Sequence, residues 1–230
     1  MRESAKVQAR FASLLWLLPV LLLCLYVLTD PFAQTLSARK ISLSALSANQ
    51  KLNIQLAATA LNGTVLKPGE EFSFNRAVGP RTASRGYEPA PSYLGRDNRL
   101  TAGGGICLLS SALYQVALEA NLAITERTAH LRPVRTVPAG LDATVSWGQA
   151  DLCFRNSLDR PVQISAQATP EALNVSLLGR KASAGELTRL RRLATRVTAD
   201  QLQVAVYRRT KDREMLVSRD LYRLAARPRE

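Results

Sequence analysis

The chain of 230 residues has one histidine, His130, and three cysteines, Cys24, Cys107 and Cys153. A single imidazole excludes a histidine-rich metal site, and no metal-ligand cluster is visible. No glycine-rich phosphate loop of the GxxxxGK[ST] type occurs, which sets aside nucleotide chemistry of that kind. Neither a metal nor a cofactor is expected. Internal repeats and low-complexity tracts are also missing, so a solenoid is not indicated. Acidic residues are few: 18 Asp and Glu stand against 31 Lys and Arg, a formal net charge of +13.

What remains able to do chemistry is narrow. Gly103-Gly104-Gly105 leads through Ile106 into Cys107, and His130 follows 23 residues later. A cysteine at a helix start gains thiolate character from the first amide N–H groups and the helix dipole. The glycines permit close approach of a substrate to the backbone. Amides near Cys107 can hold an oxyanion, His130 can act as base, and a carboxylate can orient the ring. Two carboxylates qualify, Asp142 and Asp151. In a meander turning near residue 139, His130 falls opposite about residue 147, which favours Asp151 slightly. The bland alternatives are a tight loop at the glycines, a disulfide between Cys107 and Cys153, and a strand histidine with ordinary partners. Ser110, Ser111, Tyr87 and Tyr93 join Gly103, Gly104 and Gly105 as candidate substrate-binding residues. Trp147 is a further aromatic able to stack on a sugar, although such residues more often belong to the core.

Apolar residues make up 47% of the chain, enough for a packed core. Phe11 to Thr29 is an uncharged stretch of 19 residues, FASLLWLLPVLLLCLYVLT. As a helix it would rise roughly 28 Å, near the thickness of a bilayer core. A cleaved signal peptide is the rival reading, but the exit lacks an A-x-A site. The favoured reading is an uncleaved anchor. Arg2, Lys6 and Arg10 before it and Asp30 after it place the N-terminus in the cytoplasm and the remainder outside. Residues 180–230 hold 14 Lys and Arg against 6 Asp and Glu. An exported domain meets no nucleic acid, so anionic lipid or an anionic wall polymer is the natural partner of that charge.

The expected organisation is a basic tail and anchor at 1–33, a Ser/Ala-rich segment at 34–49 that is a linker or a loosely packed first strand, a domain at 50–179 and a basic extension at 180–230. Cys107 to Asn121 is the strongest helix, with Leu109, Ala112, Leu113, Val116 and Ala120 at helical spacing. Strands are expected at 124–136, 142–147, 151–156, 161–168 and 173–178. The extension is read as an amphipathic helix near Leu187 to Arg196 and a basic hairpin. The fold class is α+β, a helix packed on an antiparallel meander.

Four segments carry a family resemblance: NIQLAATALNGTVLKPGEEFSFN (53–75), VGPRTASRGYEPAP (78–91), GGGICLLSSALYQVALEANLAITERTAH (103–130) and PAGLDATVSWGQADLCFRN (138–156). In this order they resemble the VanW family, over roughly residues 50–168. The resemblance implies a bacterial envelope protein, anchored in the plasma membrane and tied to peptidoglycan, its precursors or vancomycin resistance. It supplies no reaction. The family pattern reads GGGICQ, whereas Leu108 stands after the cysteine here, and Cys153 occupies a position that is usually basic or polar. A looser likeness to transglutaminase-like thiol folds rests on the order Cys, His, Asp alone. Three functions follow as expectations: a wall-binding accessory, a thiol amidase, peptidase or acyl transferase, and a scaffold whose basic tail holds anionic lipid.

Overall fold

A computed structural model describes residues 30–92, 100–180, 188–211 and 213–224. The proposed anchor, Cys24 and Tyr93 lie outside the described residues. Among the described residues no helix is long and apolar enough to cross a membrane.

Of the two readings of the Ser/Ala-rich segment the strand holds: it is β1 (Gln34–Ser42), followed by the start of a helix. It pairs antiparallel with β9 (Ala172–Gly179), from Gln34 against Gly179 to Ser42 against Ala172. Its Ser/Ala composition hides this, because the neighbour's backbone, rather than β propensity, secures it. Helix α1 (Ala48–Leu61) begins with a capping box in which Ser47 and Gln50 satisfy each other's backbone N–H groups. Its buried residues Gln50, Asn53, Ile54, Ala57, Ala58 and Leu61 form one stripe at helical spacing.

Short elements follow: β2 (Val65–Leu66), β3 (Glu71–Ser73), α2 (Phe74–Val78), β4 (Pro89–Pro91) and β5 (Leu100–Ala102). Helix α3 (Cys107–Glu119) is the central element. Leu109, Ala112, Leu113 and Val116 are fully buried, as their spacing predicts. It ends where Asn121 takes a left-handed conformation at φ 63°. Beyond it come β6 (Ala123–Glu126), β7 (Cys153–Arg155) and β8 (Val162–Ala168).

The α+β class holds, but the meander is divided. One antiparallel sheet has the order β1-β9-β8-β2, and a second has the order β3-β7-β6. Helix α1 lies on β8, and α3 on β1 and β9. The strand expected over 124–136 ends at Glu126. Residues 127–150 run irregularly, tied by isolated bridges Thr128–Thr144 and Ser146–Ala150. Pro133 and Pro138 fall in this stretch and cannot donate to a ladder.

The basic extension holds no helix among its described residues. It is a three-stranded antiparallel sheet of β10 (Arg189–Thr198), β11 (Gln201–Arg209) and β12 (Glu214–Arg223), in that order. The patch that reads as an amphipathic helix is β10, almost wholly exposed along one edge. The sheet is seated on the domain through a small cluster of Ala139, Val204 and Tyr222. Gly140 makes this possible: a Cβ there would stand 2.8 Å from both Val204 and Val206.

Candidate functional site

The Thr128–Thr144 bridge is antiparallel, so counting two residues inward from each side sets His130 opposite Asp142. The loop is therefore centred near residue 136, not 139, and that shift selects the carboxylate. Asp142 is the partner of His130, while Asp151 is not. Asp142 Oδ2 accepts from both the backbone N–H and the ring Nδ1 of His130, each at 2.7 Å. A proton on Nδ1 directed at a carboxylate leaves Nε2 as the nitrogen presented elsewhere.

The other oxygen of Asp142 is gripped as firmly. Oδ1 accepts from the Tyr222 hydroxyl at 2.5 Å, Gly140 N–H at 3.1 Å and Arg127 Nη2 at 3.2 Å. Arg127 also donates to the Asp142 carbonyl at 2.7 Å and to Asp220 at 2.5 Å. The Gly140 N–H reaches the Tyr222 oxygen at 2.6 Å. Asp142, Asp220, Arg127 and His130 thus form a buried group whose charges cancel when the imidazole is protonated. Single buried charges are costly, and paired ones with full hydrogen bonding are tolerated.

Cys107 opens α3, its side chain and the His130 ring line one cavity, and the ring feels the Cys107 side chain electrostatically. The thiol also approaches the Val145 carbonyl at 3.7 Å. Ser110 and Ser111 hold the helix to this strand-like segment. Ser110 donates to Ala143 C=O at 2.6 Å, and Ser111 accepts from Ala143 N–H at 2.9 Å. Both serines are fully buried, so their role is to fix Asp142 relative to Cys107. The glycine run serves the same end. A Cβ on Gly104 would lie 2.1 Å from the Ala90 carbonyl oxygen, so only glycine lets this loop press against β4.

Electrostatics follow from the partners. Burial by itself depresses the His130 pKa, but the hydrogen bond to Asp142, the Cys107 side chain and both of their charges outweigh it, and the ring is pushed up to about 9. Burial likewise opposes ionisation of Asp142, yet the donors from His130 and Tyr222 and the Arg127 charge hold its carboxyl well below the usual range. Cys153 differs. Burial and the neighbouring Asp151 and Glu126 push its thiol up to about 12, an unreactive state. Both cysteines are free, so the disulfide alternative is excluded.

Cys107 and His130 open onto a cavity of about 270 Å³. Gly103, Gly105 and Ser111 line it, as do Ile106, Leu108 and Val145. Leu108, at the position where the family pattern has Gln, gives this wall an apolar surface. Trp147 stands at the cavity 53% exposed. Tyr87, expected to bind substrate, is instead packed in the core at 3% exposure. Asp151, expected to orient the imidazole, accepts from Ser73 Oγ at 2.6 Å and Asn75 N–H at 2.9 Å, and so pins the β3–α2 junction. Among the described residues no group of His, Cys, Asp and Glu is placed to hold a metal ion.

Sequence reasoning overlooked Arg127, Tyr222, Asp220 and Arg81. Arg127 sits three residues before His130, a spacing visible in the sequence. Tyr222 and Asp220 carry no such signal, since they come from the extension.

A family model described as VanW like protein matches residues 49–178. The chain is similar to "Uncharacterized protein YoaR" of Bacillus subtilis (strain 168), 42% identical over 125 residues, which is 54% of this chain and 41% of that protein. It is similar also to "Vancomycin B-type resistance protein VanW" of Enterococcus faecalis (strain ATCC 700802 / V583), 36% identical over 121 residues, 50% of this chain and 44% of that protein. The match thus spans less than half the length of each relative. No solved structure is significantly similar to the chain. The matched region takes in Cys107, Arg127, His130 and Asp142 and covers more than half of the chain, leaving Tyr222 and Asp220 beyond it; the chain belongs to the VanW family.

Proposed function

We propose that the chain is a thiol enzyme of the cell envelope, a hydrolase or acyl transferase acting on peptidoglycan or its precursors. The observation that carries this reading is the convergence of Cys107, His130 and Asp142 at one cavity. In the reaction, the Cys107 proton already rests on His130 Nε2, and Cys107 Sγ attacks a substrate carbonyl carbon as the thiolate. The oxyanion is met by amide N–H at the head of α3. His130 then returns the proton to the departing amine or hydroxyl, and a thioester remains on Cys107. Water, or an acceptor amine or hydroxyl, gives its proton to His130 and resolves the thioester.

The envelope setting rests on the family and on the relative named for B-type vancomycin resistance, and a role in the glycopeptide response follows from it. The apolar stretch Phe11 to Thr29 supports a single-pass anchor with an extracytoplasmic domain. The arginines of β10–β12, with Leu193, Leu216 and Leu221 about half exposed on the same sheet, support contact with anionic lipid. Binding to anionic vesicles that is absent, or indifferent to salt, removes that contact.

Iodoacetamide labelling of the full chain, read by peptide mass, tests the chemistry. At neutral pH, Cys107 is expected to react faster in the folded chain than in urea. His130→Gln should slow it about 100-fold, the scale of one positioned base. Equal rates in wild type and variant leave only a recognition module that binds wall material without cutting it.

A further inference from the structure

Among the described residues lining the cavity, Arg81 carries the only fixed charge. Its Nη1 donates to Asn75 Oδ1 at 2.6 Å and to the Gly79 carbonyl at 3.1 Å. Its Nη2 is buried and has no hydrogen-bond partner among the described residues. The guanidinium lies over the Phe74 ring, 5.5 Å from its centre. Its stem is packed where a Cβ on Gly103 would otherwise sit, at 2.8 Å, so the glycine run makes room for this side chain.

Among the described residues no carboxylate pairs with it directly. Asp151, the nearest acid in this network, is taken by Ser73, Asn75 and Leu152. The neutral amide of Asn75 stands between them, donating its backbone N–H to Asp151 and accepting from Arg81. Burial pulls the Arg81 pKa below its ordinary value, opposed by Tyr87, Cys107 and Asp151. A buried guanidinium nitrogen without a partner costs free energy unless a ligand supplies one.

We propose that Arg81 receives the free carboxylate of the substrate, and that the cavity takes peptides or acyl compounds ending in a carboxylate. This rests on the thiol-enzyme reading of the same site. A planar guanidinium suits carboxylate geometry, and the remaining walls, Ile106, Leu108, Val134, Val137 and Val145, are apolar. A phosphate dianion would want more donors than this wall offers. Asp151 thereby acquires a role at one remove, holding the Asn75 that aims Arg81.

Two alkylating reagents of one size separate the outcomes. Iodoacetate carries the carboxylate and iodoacetamide does not. In the full chain, Arg81→Gln is expected to slow labelling of Cys107 by iodoacetate about 10- to 100-fold, the worth of one charged hydrogen bond. Labelling by iodoacetamide should change less than about twofold, a shift too small to reflect a lost charged hydrogen bond. If both rates fall together, Arg81 tunes the thiol and the proposal is wrong; if neither falls, it is wrong as well. Should Arg81→Gln unfold, judged by circular dichroism, Arg81→Lys keeps the charge without the fork and must show an intermediate iodoacetate rate. If Cys107 resists both reagents the thiol reading fails, and the carboxylate site is judged separately by ligand-observed NMR. There N-acetylalanine must bind, N-acetylalaninamide must not, and Arg81→Gln must abolish the difference. Equal binding of the two overturns the proposal, and inorganic phosphate binding as well as N-acetylalanine overturns its carboxylate specificity.

Discussion

The hydroxyl of Tyr222 donates to Asp142 Oδ1 at 2.5 Å across 80 residues of sequence, while the opposite oxygen of that carboxylate holds His130. A residue of the extension therefore shares a carboxylate with the ring at the cavity. Replacing Tyr222 by Phe keeps the ring's packing beside Val204 and removes the hydroxyl. It should cost about 1–3 kcal/mol in urea denaturation, the penalty for a buried group losing its partner. It should also slow iodoacetamide labelling of Cys107 by about tenfold, as loss of outer hydrogen bonds does at other sites. Unchanged stability and unchanged labelling together would refute the coupling.

Asp142 and Asp151 make opposite predictions when changed to Asn. Asp142→Asn removes the acceptor that fixes the imidazole and should slow Cys107 labelling by iodoacetamide roughly 100-fold or more. Asp151→Asn disturbs Ser73 and Asn75, not His130, and should leave that rate within about threefold of wild type, since the ring keeps its orienting acceptor. A larger effect at Asp151 would restore it as the orienting acid.

Stability should fall as the solution is made alkaline. His130 binds its proton more tightly in the folded chain, at about 9 against an ordinary 6.5. Its contribution is thus complete below about pH 6.5 and is lost as the pH rises through about 9. The loss is roughly 3 kcal/mol at most. Urea midpoints between pH 6 and 9.5 read it, and His130→Gln should flatten the slope. A Cys153→Ser background removes the parallel loss from that thiol, which starts above its ordinary value of 9.0.

Gly104→Ala tests the loop. The added methyl would stand 2.1 Å from the Ala90 oxygen, which is backbone and cannot swing aside. A loss of about 3 kcal/mol or more is expected in chemical denaturation, with Cys107 labelling disturbed as the loop lifts from β4. Wild-type stability in this variant would show that the approach is not required.

Helix α3 was legible because Leu109, Ala112, Leu113 and Val116 repeat at its period and because nothing interrupts it. Strands β7, β8 and β9 were legible for similar reasons. The placement of Cys107 at a helix start was legible from the unbroken run after it, and His130 is the one imidazole in the chain. The choice between Asp142 and Asp151 was not legible, since it depends on where an irregular loop of 127–150 turns, and a shift of three residues in its centre exchanges one acid for the other. Strand β1 was only half legible, because Ser and Ala suit a linker as well as a strand. Strand β10 was mistaken for a helix because leucines and arginines alternate loosely enough to fit either period. Tyr222 was invisible in principle: its role exists only once β12 lies against residues 140–142.

The order of synthesis gives the Tyr222 contact a further meaning. A ribosome adding about 5–20 residues per second needs roughly 4–16 s to travel the 80 residues from Asp142 to Tyr222. Throughout that interval a nascent chain already carries sulfur, imidazole and acid, yet lacks the phenol that steadies the acid. The setting of the carboxylate is completed only once β12 has been made, so a polypeptide stopped before it holds Asp142 without its shortest hydrogen bond.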